Sequence, residues 1–454
     1  MGFSLYFSIE TWTLIAIVIS LLALYGTAPY NFFKKLGIKG PKPLPFIGTF
    51  LEYRQDLGLN GPLNDAVSIV EDEDWKRIRS VLSPSFTSGR LKEMYSIMLQ
   101  HSSNLLKSLQ GKVDADEVIN VKDVFGPYSM DVVASTAFSV DIDSINRPAD
   151  PFVANIQKMT KFNFLNPLIV LVVLFPFLRP LIEKMEISLF PADVLTFFYN
   201  FLKTIKSDRK KNNCKSRVDF MQLMVDSQIS ESSKENMNDQ KGLTDHEILS
   251  QAMIFIFAGY ETSSSSMCFF AYNLATNPHI QKALQEEIDE TFPNKVRPNY
   301  DDLMQMEYLD MVMNESARLY PIATRLERVA KTSVEVCGVT IPKNSVVMVP
   351  IYALHRDPSL WPEPESFKPE RFGKENKDNI DPYAFLPFGA GPRNCIGMRF
   401  ALLMMKLALV EILQHYSFVT CKETEIPLEL SNEGFTSPKN PIKIKLMPRA
   451  TTSD

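Results

Sequence analysis

Soft metal ligands are scarce in this sequence. Its 454 residues include five histidines, none at metal-binding spacing, and five cysteines, Cys214, Cys268, Cys337, Cys395 and Cys421, which lie far apart. The odd count and the lack of a C-x-x-C pair exclude a zinc ribbon or a disulfide framework and point to a reducing compartment. There is no G-x-S-x-G elbow for a serine nucleophile and no internal repeat. Positive charge is not in excess: a formal net charge of −5 argues against nucleic acid as a partner.

Charge is missing altogether from Thr11 to Phe33, where WTLIAIVISLLALYG has the length and apolarity of a membrane span. Glu10 precedes this run and Lys34, Lys35, Lys39 and Lys42 follow it, which places everything after residue 33 in the cytoplasm. A cleaved signal peptide would need a charged n-region and a small-residue cleavage site, and both are absent. The chain therefore divides into an anchor at 1–33, a basic spacer at 34–45 stiffened by Pro41, Pro43 and Pro45, and one large domain at 46–454. With 45% hydrophobic residues that domain can bury a large core. Helical periodicity runs to about residue 330, shorter strands are expected over Val334 to Met348, and the last hundred residues mix loops, a helix after Cys395 and terminal strands. Residues 230–242 are polar and read as a surface loop, while the proline-broken apolar run from Phe162 to Phe190 reads as a patch dipping into a membrane surface.

The densest chemistry is FGAGPRNCIG, Phe388 to Gly397. Gly389, Gly391 and Gly397 let the backbone turn tightly, and a helix opening at Ile396 aims free N–H groups and its positive end at Cys395. Arg393 adds a cation, so the loop favours a thiolate able to bind iron. A lone cysteine is more often a small buried hydrophobe. A phosphate loop does not fit, because Pro392 follows the second glycine and the spacing is not G-x-G-x-x-G.

Three further patterns accompany the loop. Glu315 and Arg318 in NESARLYP share a helix face, and Arg371 in PERF can join them in a bidentate network. In QAMIFIFAGYETSSSS an apolar run from Ala252 to Ala258 meets Gly259, Glu261 and Thr262, where polarity inside a buried helix needs a reason. A local bond from Thr262 to the Ala258 carbonyl is one such reason. Trp75 and Arg79 follow four acids on a probable helix, which could be only a dipole-stabilised surface helix.

Phe388, Gly391, Arg393, Cys395 and Gly397, with these three patterns in order, resemble the cytochrome P-450 monooxygenases. The runs LSPSFTSGRLKEM, FIFAGYET, MEYLDMVMNE and YALHRDP narrow the resemblance to the microsomal drug- and steroid-metabolising 3A subfamily. It implies a mainly α fold with a smaller β region behind an N-terminal transmembrane helix. It implies haem b held by Cys395 as axial iron ligand, with Trp75, Arg79, Arg328 and Arg393 on its propionates, and O2 activated at a groove formed by Ala258, Glu261 and Thr262. Glu315, Arg318 and Arg371 become a structural network. A pocket of Ser68, Phe162, Phe164, Phe190, Phe257, Ala323, Thr324 and Phe435 would suit bulky lipophilic substrates such as steroids, drugs and xenobiotics. Electrons would come from NADPH through a flavoprotein reductase docked on Lys76, Arg77, Arg399 and Lys406, with cytochrome b5 as a further partner. The lipid bilayer, at the endoplasmic reticulum, would hold the anchor.

One departure stands out. Only 29 residues separate Pro45 from Trp75, where the resembling family places a helix, two strands and a second helix. The shortfall is roughly fifty residues, about what those elements require. The N-terminal sheet is then expected to be incomplete, with an unpaired edge and uncovered core, and Arg54 at the junction is not counted as a propionate ligand. Two readings follow: an active monooxygenase, or a shortened, catalytically silent membrane-bound variant with impaired folding or haem binding.

Overall fold

The computed structural model describes residues 9–27, 61–159, 175, 178–185, 187–188, 190–212, 219–230, 242–431 and 434–449. In chain order the longer helices are α1 (Ile9–Thr27), α2 (Asp72–Leu82), α3 (Ser88–Asp114), α4 (Val121–Phe138), α5 (Pro151–Met159), α6 (Ala192–Asn212), α7 (Asp245–Thr276), α8 (Pro278–Thr291), α9 (Glu307–Leu319) and α10 (Met398–His415). The strands are β1 (Ile119–Asn120), β2 (Leu326–Val329), β3 (Val334–Val336), β4 (Val339–Ile341), β5 (Val346–Val349), β6 (Tyr416–Val419) and β7 (Lys443–Pro448). Helix predominates and sheet is minor. The described residues form two compact units, a larger one within 62–162, 190–326 and 348–454 and a smaller one within 1–61, 163–189 and 327–347.

The larger unit is built around α7. Its 32 residues span roughly 48 Å at helical rise. A capping box starts it: the Thr244 hydroxyl accepts from Glu247 N–H at 3.3 Å and the Glu247 carboxylate accepts from Thr244 N–H at 2.9 Å. Beyond that cap it is buried along most of its length, with the polar Ser250, Gln251, Ser263, Ser264 and Ser265 enclosed among apolar side chains. Helix α4 lies against it so closely that a Cβ on Gly259 would sit 2.6 Å from Val133 Cγ2. Ser129 donates to the Gly259 carbonyl at 2.8 Å, and Tyr128 donates to the Met404 carbonyl at 2.8 Å, tying α4 to α10 as well. A three-stranded antiparallel sheet, β1-β7-β6, closes one side. The buried amide of Gln281 on α8 pairs with both backbone groups of Phe418 on β6, at 2.9 and 2.8 Å.

A second anchor is ionic. Glu315 and Arg318 are both fully buried, and Arg318 grips Glu315 bidentately at 2.7 and 2.9 Å. Arg318 also donates to the His355 carbonyl at 2.7 Å and the Ser366 carbonyl at 3.2 Å. Glu315 accepts further bonds from Lys368 N–H at 2.8 Å and Arg371 Nε at 3.3 Å. Burying two charges costs several kcal/mol each, and only this full set of partners offsets it. Its effect is to join α9 to the segment carrying Ser366, Lys368 and Arg371.

The smaller unit holds α1, the β3–β4 hairpin and most of β2 and β5, which pair with each other. Cys337 and Gly338 take φ of 51° and 77° at the hairpin turn, the backbone that a two-residue loop between twisted strands needs. Among the described residues neither pair has a third strand, and Val329, Val334, Val336 and Val347 are exposed.

The membrane span expected over 11–33 is not found: among the described residues no helix is long and apolar enough to cross a membrane. Helix α1 has 19 residues, roughly 28 Å against a hydrocarbon core of about 30 Å. It also carries Glu10, and Thr13 and Ser20 turn their hydroxyls back to the Ile9 and Ala16 carbonyls. Residues 28–33, the proline spacer, Arg54, Phe162, Phe164 and the polar loop at 231–241 lie outside the described residues.

The closeness of α4 and α7 is testable. Alanine is the better helix former by about 1 kcal/mol, so Gly259→Ala should stabilise an uncrowded helix. At this contact it should instead cost about 1–3 kcal/mol of overpacking, read in a melt of the full chain. Adding Val133→Ala should restore most of the loss; absence of either effect would show that the helices do not meet this tightly.

Candidate active site

The Phe388–Gly397 loop is closed by its own backbone. Cys395 N–H donates to the Phe388 carbonyl at 2.9 Å, and Asn394 N–H donates to Gly391 at 3.1 Å. Gly389 and Gly391 have φ of 72° and 75°, values that favour glycine. Gly397 does not: its φ is −86°, it precedes the first residue of α10, Met398, and a Cβ there would only touch Phe86. The helix thus opens two residues later than Ile396.

At Cys395 the amide groups of Gly397 and Met398 stabilise the sulfur as an anion, and the Arg79 cation acts the same way. Burial by surrounding protein outweighs them and pushes the thiol above its usual range, although the residue keeps an exposed surface. Arg393, expected to be the activating cation, is otherwise engaged. Its guanidinium lies 4.7 Å over the Trp75 ring and donates to the Val70 carbonyl at 2.7 Å. Arg79 takes hold of the loop itself, donating to Asn394 O at 2.9 Å and Asn394 Oδ1 at 3.0 Å. Two of its five N–H groups are used there. Another cysteine, Cys268 on α7, is fully enclosed and its thiol is pushed up to about 12. An exposed sulfur backed by two amides and a cation is a donor that can hold iron through a single thiolate bond, and this arrangement fits a haem.

On α7, Thr262 Oγ1 donates to the Ala258 carbonyl at 2.6 Å, and Ala258 is exposed beside buried Phe257. The helix runs through Gly259 without interruption, and the glycine is explained by Val133. Phe388 of the loop lines a small cavity with Ser266, Met267 and Phe270, so the loop and the turn after Thr262 share one space. Glu261 is not free-standing. Lys122, second residue of α4, donates to its carboxylate at 2.9 Å and to the hydroxyls of Ser264 and Ser265 at 2.9 Å each. Ser265 also donates to Glu261 at 3.1 Å, and Lys122 lies 5.4 Å over the Tyr260 ring. Lys122 was not singled out from the sequence: only the packing of α4 on α7 brings it to Glu261.

Among the pocket residues, Phe257 meets Phe190 at 6.1 Å and Phe435 at 6.3 Å between ring centroids. Phe435 forms a β-bridge with Ala323, and the Thr324 carbonyl accepts from Tyr352 N–H at 3.0 Å. Ser68 is exposed on the turn before α2. Arg328 belongs to the smaller unit, where it donates to the Glu327 carbonyl.

The proposed basic patch does not form as read. Arg77 is buried in a bidentate pair with Glu247 at 2.7 and 3.0 Å, and Lys406 is buried against Asp310 at 2.8 Å. Both serve internal charges, which leaves Lys76 and Arg399 exposed.

The family model Cytochrome P450 matches residues 55–446. Cytochrome P450 3A40 of Oryzias latipes is 59% identical over 506 aligned positions covering all of both chains. Cytochrome P450 3A30 of Fundulus heteroclitus is 58% identical over 98% of this chain and 99% of its own. Cytochrome P450 3A12 of Canis lupus familiaris is 51% identical over 98% and 97%. The 506 positions aligned with the first exceed this chain's 454 residues by 52, so that many relative residues have no counterpart here. A model spanning most of the chain and full-length relatives above half identity settle the assignment: the chain belongs to the cytochrome P450 family, within the 3A subfamily, and is a haem- and dioxygen-using monooxygenase.

Proposed function

We propose that Cys395 is the axial ligand of haem b and that the chain oxidises bulky lipophilic molecules such as steroids, drugs and other xenobiotics. The observation that carries the assignment is Cys395, a residue with exposed surface, with the Gly397 and Met398 amides directed at its sulfur. When bound, thiolate-ligated haem supplies the iron chemistry that splits dioxygen and inserts one atom into a C–H bond. Trp75, Arg79 and Arg393 would receive the propionates, and Phe388, Gly391 and Gly397 shape the loop beneath. Thr262 and Glu261 hold and pass protons at Oγ1 and the carboxylate, next to the open backbone at Ala258. Lys122 holds that carboxylate in place through a hydrogen-bonded ion pair, with Ser264 and Ser265 fixing the lysine. The phenylalanine cluster at Phe190, Phe257 and Phe435 offers few polar groups, which favours breadth over discrimination.

Electrons would arrive from NADPH through a flavoprotein reductase, with cytochrome b5 as an auxiliary donor. Attachment to the cytoplasmic side of the endoplasmic reticulum would use α1, whose Ile9, Trp12, Leu14, Ile19, Leu21 and Leu24 are exposed. Residues 34–45 would act as the spacer and 46–454 as the monooxygenase domain.

Two measurements test the assignments. Reduced enzyme under carbon monoxide should show the strongly red-shifted Soret band of a thiolate carbonyl complex, and Cys395→Ser should abolish it; a band surviving in that variant defeats the ligand assignment. A positioned proton donor contributes roughly 10²–10⁴-fold. Thr262→Ala should therefore keep the spectrum but divert most reducing equivalents to hydrogen peroxide, and Lys122→Met should do the same to a smaller degree. Normal coupling in both would remove the proton-delivery role.

A further inference from the structure

A second cavity, of about 1030 Å³, opens on the far half of α7; it shares Tyr320 with the small cavity at Phe388 but includes none of the residues assigned to haem, dioxygen or the substrate pocket. Its walls come from Tyr272 and Thr276 on α7, Tyr320 after α9, Tyr352 and Arg356, and the segment at Ile426 to Leu430. Thr276 lies 14 residues beyond Thr262, roughly 21 Å along the helix.

Two features of the walls point to a ligand. The first is aromatic. Tyr320 is fixed by stacking on Phe269 at 4.5 Å and 3°, and Tyr272 meets it edge-on at 6.3 Å. The second is a cation short of acceptors. Arg356 has only 13% of its side chain exposed, with its guanidinium 3.9 Å over the Tyr352 ring. Its Nε makes one long bond of 3.4 Å to Glu365, and its Nη1 is buried with no hydrogen-bond partner. Leaving a buried charged donor unpaired is costly, so a fork in this state favours an incoming anion. The lining acids Glu365 and Glu370 are exposed, where water screens them, and do not cancel an enclosed cation.

We propose that this cavity binds an amphipathic organic anion, a flat aromatic body carrying a carboxylate, with the ring against the tyrosines and the carboxylate on Arg356. Such a ligand would occupy the chain together with a substrate at the haem.

The probe is 2-naphthoate, with 2-naphthol as its uncharged counterpart, measured by equilibrium dialysis on the full-chain holoenzyme. One naphthoate per chain should bind, without a Soret shift and undisturbed by saturating 1-phenylimidazole. The naphthol should bind at least tenfold more weakly. Arg356→Met should weaken naphthoate at least tenfold. Ile426→Glu, at a cavity residue that is 62% exposed, should weaken it by repulsion without touching the core, which keeps the test decisive if the arginine variant misfolds. Displacement by phenylimidazole, equal binding of the two probes, or wild-type affinity in Ile426→Glu would each overturn the proposal.

Discussion

A missing side chain governs the geometry of the active site. Because Gly259 presents no Cβ, Val133 can press against the α7 backbone and Ser129 can bond the Gly259 carbonyl. That contact fixes α4 relative to α7 at a separation no other residue would allow. Lys122 belongs to α4 and Glu261 to α7, so their ion pair follows from the same approach. Tyr128, on the same helix, carries the constraint to Met404 on α10, whose first turn supplies an amide to Cys395. The Cys395 loop and α7 are therefore positioned by one tightly packed neighbour.

Several charges enclosed in the larger unit have a defined partner, in contrast to Nη1 of Arg356. Arg318 and Glu315 are saturated by carbonyls and amides, Arg77 by Glu247, and Lys406 by Asp310. Such pairs add little net stability against an apolar replacement, but removing one partner strands the other in a low dielectric. Cys395 is the instructive contrast. Two amides and Arg79 favour its thiolate, yet burial outweighs them in the protein alone. In the proposed haem site a metal cation would be the largest local charge and would reverse that balance.

The sequence displays its local chemistry clearly and its partnerships poorly. The glycine loop, the Thr262 motif and the Glu315–Arg318 spacing are legible because each depends on residues within one or two helical turns. The helical body and the short strands near Val334–Met348 are legible from periodicity for the same reason. Lys122 was invisible, since its partner lies 139 residues away and nothing in VINVKDVF distinguishes it from a surface lysine. Arg77 and Lys406 misled in the opposite direction: basic residues look solvent-facing until an acid on another element claims them. Arg393 is a subtler case, adjacent in sequence to the cysteine yet turned onto Trp75 and Val70. The membrane span is not found among the described residues, where α1 covers Ile9–Thr27 and carries Glu10.

The strands of the two units differ in their support. In the larger unit the buried core runs as one cluster from Leu63 to Leu446 and contains the helices that carry Cys395's loop, Thr262 and Lys122's partners. Its sheet is three-stranded and held by Gln281. Among the described residues β2 with β5, and β3 with β4, stand as isolated pairs with exposed valines on both. A two-stranded sheet is marginal in water without a third strand or a covering helix. The buried cluster built on α4, α7 and α10 does not include these strands.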